Sequence, residues 1–238
     1  MIEQNIVNIL ENNSYAGRGI IIGTSGDASK AIIAYFLMGR SSNSRNRIFL
    51  EDGDGLLIKA FDESKLEDPT LIIYSPLRVL DNCTIVTNGD QTDTIYEYMQ
   101  KGLSFEEALR SRVYEPDAPN YTPRISGIVA CNDQLFTYKM SILKKQSPSS
   151  DACQRNVFEF NACPGQGHFI HTYLGDGDPL PTFTGEPEII SLQNIGDIDD
   201  FTTMLWNSLN ADNKVSLAVR YIDLPSGQWQ TRIVNRNQ

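Results

Sequence analysis

Short β-rich runs, separated by turn residues, constrain this 238-residue chain more than any other feature. In the first half they fall at residues 18–22, 31–37, 56–61, 70–74 and 84–87. Later runs occupy 125–131, 134–143, 156–160, 168–174, 187–192, 215–222 and 228–234. Each is dense in β-branched and aromatic residues and ends at Gly, Pro, Asn or Asp, the composition of a pleated, half-buried strand. So many strands demand two sheets or one barrel. The last two flank Leu224-Pro225-Ser226-Gly227 and read as a closing hairpin.

Helices are few. Residues 93–101 predict one, stopped by Gly102 in the position that favours positive φ. Ser104-Phe105-Glu106-Glu107 is a capping box for a second. Residues 199–209 carry Phe201, Met204, Leu205 and Leu209 at helical spacing, so one face should be buried. A helix over residues 2–10 would be uncapped, and residues 144–151, around Ser147-Pro148-Ser149-Ser150, suggest a mobile loop. The expected class is α+β, with two or three helices covering two stacked sheets.

Composition narrows the chemistry. A formal charge of −10 opposes broad nucleic-acid binding, which needs clustered cations to neutralise phosphates. No apolar run approaches the ~20 residues that span a bilayer, and the Met1-Ile2-Glu3-Gln4 start lacks signal-peptide character. Cys83, Cys131, Cys153 and Cys163 form no C-x-x-C pair, which favours a reducing compartment over a zinc module. His168 and His171 are the two histidines; on one strand their odd separation sends them to opposite faces, so neither a shared metal nor a histidine-based nucleophilic dyad is expected.

Three segments can carry a site. Glu115-Pro116-Asp117-Ala118-Pro119-Asn120-Tyr121-Thr122-Pro123-Arg124 fixes a loop with three prolines and arrays carboxylate, amide, phenol and guanidinium between them. Such a loop is either preorganised for a ligand or a helix exit whose prolines only stop the helix. Arg40, Arg45 and Arg47, interleaved with Ser and Asn, offer planar donor forks for phosphate or carboxylate, or form a solvated turn. Thr87-Asn88-Gly89-Asp90-Gln91-Thr92-Asp93 makes a tight turn in which Thr92 or Asp93 could cap the next helix, and whose amides attract anions. Tyr74 and Arg78 form a smaller group at a strand end. The Gly-rich stretch 163–178 lacks both the terminal Glu of a calcium loop and the helix that follows a phosphate-binding fingerprint.

Taken in order, these segments resemble the archaeal-type inosine monophosphate (IMP) cyclohydrolase family. The matching pieces are Ala34-Tyr35 through Arg47, then Thr87 through Asp93, then Glu115 through Ile125, while residues 164–180 look more like bacterial members. The resemblance implies a single domain over residues 1–238 and a four-layer αββα sandwich like that of N-terminal-nucleophile hydrolases. Met1-Ile2 supplies no such nucleophile. The implied reaction closes 5-formamidoimidazole-4-carboxamide ribonucleotide to IMP with loss of water, without cofactor or metal. Arg40, Tyr74 and Glu115 are then expected around the reacting groups. Arg45, Arg47 and Arg124 become candidates for the 5′-phosphate, and Asn88, Asp93, Asn120 and Tyr121 for ribose and base. A cytoplasmic homo-oligomer is expected, acting on a small purine ribonucleotide with no nucleic-acid or membrane partner. The rivals are an amide hydrolase on the same fold and a nucleotide-binding protein without turnover.

Overall fold

The computed structural model describes residues 3–66, 69–132 and 135–237. In chain order the elements are α1 (Ile6–Glu11), β1 (Arg18–Thr24), β2 (Lys30–Met38), α2 (Ser42–Arg45), β3 (Arg47–Asp52), β4 (Gly55–Ala60), β5 (Leu77–Leu80) and β6 (Cys83–Thr87). There follow α3 (Gln91–Gln100), α4 (Phe105–Arg110), β7 (Arg124–Asn132), β8 (Leu135–Ser147), β9 (Ser150–Asn161), β10 (Gln166–His171), β11 (Glu188–Ser191), α5 (Ile198–Ser208), β12 (Lys214–Asp223) and β13 (Trp229–Asn235).

These strands form two antiparallel sheets, one in the order β11-β10-β1-β2-β12-β13 and one running β3-β4-β5-β6-β7-β8-β9. The chain is therefore α+β, with two sheets and few helices. Strand alternation divides its apolar residues among three cores. Ile20, Ile22, Ile33, Tyr35 and Val215 of the first sheet meet Phe49, Ile58, Val86, Val129 and Met140 of the second in a shared core. The other face of the first sheet, through Ile21, Ala34, Phe36 and Leu217, packs on Ile6 and Leu10 of α1 and Phe201 and Leu205 of α5. The other face of the second sheet, through Ile85 and Ile128, packs on Ile95 of α3 and Phe105 and Leu109 of α4. No helix among the described residues is long and apolar enough to cross a membrane.

Most expected elements are present, and the departures have local causes. The capping box is made in full: Glu107 N donates to the Ser104 hydroxyl while the Glu107 carboxylate accepts from Ser104 N. Gly102 has φ +77° after α3, and Gly227 (φ +69°) closes the last hairpin. The expected strand over 70–74 is instead a turn, because the amides of Ile72 and Ile73 both bond back to Pro69 O. Strands β3 and β5 went unforeseen. The mobile loop expected at 144–151 is the tip of the long β8–β9 hairpin, paired as far as Ser147 and Ser150. Helix α1 is capped after all, by Asn5 Oδ1 accepting from Val7 N; residue 2 of the expected helix and residue 134 of the expected strand lie outside the described residues. Asp90, rather than Thr92 or Asp93, holds the N-cap position of α3, without a side-chain cap bond.

Candidate active site

At one end of the inter-sheet layer the apolar core gives way to charge. The start of β1, the end of β2, the start of β3, the end of β6 and the start of β7 all converge there, as the pairs Arg18↔Leu37 and Thr87↔Ser126 require. Alternation on β1 puts Arg18 on the face of Ile20 and Ile22, and alternation on β3 puts Arg47 on the face of Phe49. Both guanidiniums therefore enter the space between the sheets. Gly17, at φ +76°, precedes Arg18 because a Cβ there would lie 2.2 Å from Thr172 Oγ1 and 2.5 Å from the Tyr173 ring.

Arg47 is wholly buried, and its Nε donates to Ser44 O at 2.8 Å. Its Nη1 and Nη2, the Nε of Arg18 and Oε1 of Glu115 are all buried without a hydrogen-bond partner. Four unpaired polar atoms in one neighbourhood would cost several kcal/mol in an apolar interior, so they mark a place built to receive a polar group. Around them stand Tyr35 and Tyr74, whose hydroxyls are 2.7 Å apart, and Tyr173, stacked on Tyr15 with centroids 5.9 Å apart.

Electrostatics ties these groups together. Burial pushes the Glu115 carboxyl up to about 7, despite the opposing pull of Arg18, Arg124 and Arg47. Burial alone would depress Arg18, yet Glu115 and the phenols of Tyr15, Tyr173 and Tyr74 hold it above the usual arginine value. Arg47 is lowered by burial and then by the like charge of Arg18. Burial also raises Tyr35 and Tyr74. Two guanidiniums and a carboxyl poised near neutrality make a site that favours an anion and can exchange a proton with it.

The proline loop is what delivers Glu115. Its backbone N donates to Thr122 O at 2.9 Å, and Asp117 ties the loop off by accepting from the amide and hydroxyl of Thr122 and, through its carbonyl, from the amides of Asn120 and Tyr121. Thr122 Oγ1 also contacts Tyr173 OH at 2.5 Å. Behind the loop, Arg124 binds Gln91 Oε1 and Asp90 Oδ1, each at 2.7 Å, and Val113 O at 2.9 Å. Gly89 leaves room for this: a Cβ there would stand 2.5 Å from Arg124 Nη1 and 3.5 Å from Glu115 Oε1.

Of the residues singled out in the sequence, Tyr74, Glu115, Arg47 and Arg124 come together here. Arg40 sits outside, its guanidinium 5.2 Å from the Tyr15 ring centroid and bonded to Asp176 Oδ1 and Gly177 O. Arg45 turns back on Gly39 O and Asn213 Oδ1. Asn88 is committed to the loop, donating to Pro123 O and accepting from Ile125 N and Gln91 Nε2. Asp93 pairs with Arg78 at 2.8 Å, which in turn lies over the Tyr96 ring. Asn120 Oδ1 accepts from Leu180 N, and Tyr121, at φ +46°, packs edge-on to Tyr114 under Lys145. Sequence reasoning missed Arg18, Tyr35, Tyr15 and Tyr173. Among the described residues no cluster of three or more His, Cys, Asp and Glu is placed to hold a metal. A surface cleft of about 1070 Å³ opens at the opposite end of the sheets beside Asp27, Asp197 and Arg232, and none of the four orphaned atoms of Arg18, Arg47 and Glu115 lines it.

Fold and cluster define a two-sheet α+β protein in which two buried guanidiniums and a carboxyl are walled by tyrosines between the sheets. Residues 15–227 match the family model described as IMP cyclohydrolase-like protein, and the chain belongs to that family. It is similar to proteins named IMP cyclohydrolase from Methanocella arvoryzae (34% identical over 120 residues, 49% of this chain and 58% of the relative) and Methanopyrus kandleri (34% over 116 residues, 47% and 57%). A relative of the same name from Methanococcus maripaludis is 26% identical over 169 residues, 68% of this chain and 82% of its own length. The first two alignments thus span less than three fifths of the relatives they match.

Proposed function

We propose that this chain is an IMP cyclohydrolase, closing 5-formamidoimidazole-4-carboxamide ribonucleotide to IMP within purine biosynthesis. The observation that carries the reading is Glu115, buried with an unpaired Oε1 beside Arg18 and Arg47 and held near pH 7. Ring closure joins the carboxamide nitrogen to the formyl carbon of the same molecule. The formyl oxygen gains negative charge, takes up two protons and leaves as water; the carboxamide nitrogen gives up one proton and the formamide nitrogen the other. The protein must hold the reactive rotamer, stabilise the oxygen and carry protons.

In this reading Glu115 accepts the nitrogen's proton and returns one to the departing oxygen, a task suited to a carboxyl that titrates at the working pH. The unpaired donors of Arg47 and Arg18 stabilise the developing oxyanion or the substrate's phosphate, and Tyr74, oriented by Tyr35, hydrogen-bonds the reacting oxygen. Arg40, resting on Tyr15 over Tyr173, guards the entrance. Arg124 acts from behind by lowering the cost of ionising Glu115, while Asn88, Asn120 and Tyr121 shape the loop that presents it. The three cores and two facing sheets support a four-layer αββα sandwich of the N-terminal-nucleophile hydrolase kind, formed as one domain. A cytoplasmic homo-oligomer remains part of this reading.

The test is an assay with purified protein and the formylated ribonucleotide, with IMP identified by chromatography. IMP formed by the wild type and lost in folded Glu115→Gln supports both function and residue. Nucleotide binding without turnover by folded wild type would overturn the reading in favour of a non-catalytic binder.

A further inference from the structure

The opposite end of the inter-sheet layer holds a second buried cation with a different setting. Arg220 lies on β12 with its side chain on the inter-sheet face, since Ala218 and Ile222 belong to the shared core and Tyr221 to the outer one. It is only 3% exposed, and its Nε donates to Thr231 Oγ1 at 3.0 Å. Among the described residues neither terminal nitrogen has a hydrogen-bond partner; the other contact is the Trp229 ring, 5.5 Å from Cζ. Arg220 lines a cavity of about 510 Å³ between the sheets, walled by Val79, Ile222, Leu224 and Trp229 and edged by Thr84 and Asn82. Burial brings Arg220 down to about 10, so it stays charged at neutral pH.

We infer that this cavity is a second ligand site, separate from the Glu115 cluster, that takes a small organic carboxylate with an apolar body. The guanidinium fork supplies the paired donors a carboxylate accepts, and the aliphatic and indole walls suit a hydrocarbon tail. Charge sets the valence. Asp81 lies on the rim, and Asp54 and Glu51 also act on Arg220, so the local potential tolerates one negative charge better than two. A phosphate dianion is therefore the poorer fit, and the apolar walls give it nothing to bury.

Trp229 provides the readout, because Trp206→Phe leaves it the sole tryptophan. Hexanoate should shift its emission saturably in that variant, hexanol and inorganic phosphate only at much higher concentration. Arg220→Met should weaken hexanoate by about tenfold or more, the scale of lost charge-assisted hydrogen bonds, while Arg220→Lys keeps part of it. Should Arg220→Met fail to fold, amide shifts of isotope-labelled wild type decide instead: hexanoate must move Thr84 and the Trp229 indole but leave Glu115 in place. Prior saturation with IMP should not compete. No saturable response, an equal response to phosphate, shifts confined to the Glu115 loop, or competition by IMP would each overturn the second site. None of these outcomes depends on whether the cyclohydrolase assay succeeds.

Discussion

The two ends of the inter-sheet layer solve one problem, a guanidinium drawn out of water, in opposite ways. At one end Arg18 and Arg47 are surrounded by a carboxyl and four phenols, and Arg18, Arg47 and Glu115 each bury polar atoms without a partner. At the other, Arg220 has a threonine, an indole and open space. The first arrangement couples charges so that protonating one group alters its neighbours; the second leaves a cation whose burial outweighs the pull of Asp54 and Glu51. Coupled titratable groups are what proton-transfer chemistry needs, whereas a lone donor fork suffices for binding.

The largest expected effect tests that coupling. Glu115→Gln removes the proton carrier while keeping shape, and kcat for IMP formation should fall by about 10²–10⁴-fold. The wild-type rate should titrate near pH 7, with that inflection absent in the variant. Stability supplies an independent check. The Glu115 carboxyl binds its proton more tightly when folded, at about 7, than at its ordinary value of 4.5. Its contribution is therefore fully present below pH 4.5 and is lost as pH rises through 7. Denaturation midpoints of wild type should drop across that window relative to Glu115→Gln; parallel curves would show that the carboxyl is not held protonated by burial.

Next in size is Arg47→Met, which trades a buried charge for a hydrocarbon of similar length. Activity should fall by about 10²–10³-fold if the guanidinium faces developing negative charge. Thermal stability should stay level or rise, because a desolvated, unpaired cation next to Arg18 is costly to bury. A large loss of stability with activity intact would make Arg47 a structural residue and erase the contrast with Arg220.

How much of this was legible depends on what each residue's neighbours reveal. Glu115 could be picked out because prolines on either side fix its loop, and the capping box of α4 and the turn at Gly227 follow local rules. Arg18 could not. Strand β1 is buried on both faces, so Arg-Gly-Ile-Ile-Ile shows no alternation to say which face Arg18 shares. Arg40, Arg45 and Arg47 look equivalent in sequence. Only the short helix α2 and the start of β3 separate them, sending the first to the surface, the second back to Gly39 and the third inside. The turn at 70–74 defeats a strand reading because Pro69 O captures the amides a sheet would use.

A third prediction separates holding the site from taking part in it. Asn88 is fully buried and bonds to Pro123, Ile125 and Gln91. Asn88→Ala leaves those partners unpaired, so it should destabilise the fold by about 1–3 kcal/mol. Its activity loss should track displacement of the Glu115 loop and recover at low temperature, whereas the Glu115→Gln loss should not.

The smallest effect belongs at the entrance. Arg40 and Asp176 pair at 2.6 Å with side chains 36% and 48% exposed, in solvent that screens the attraction. Asp176→Asn should therefore change stability by less than about 1 kcal/mol. It leaves the Arg40 guanidinium above Tyr15 without its carboxylate partner, held by Gly177 O, one ring away from Tyr173 and the buried cluster. On the proposed role of Arg40 at the entrance, its uncompensated charge strengthens encounter with a phosphorylated substrate, lowering KM and steepening its salt dependence while kcat holds. If kcat moves instead, Arg40 reaches the reacting atoms and belongs with Arg47 rather than at the entrance.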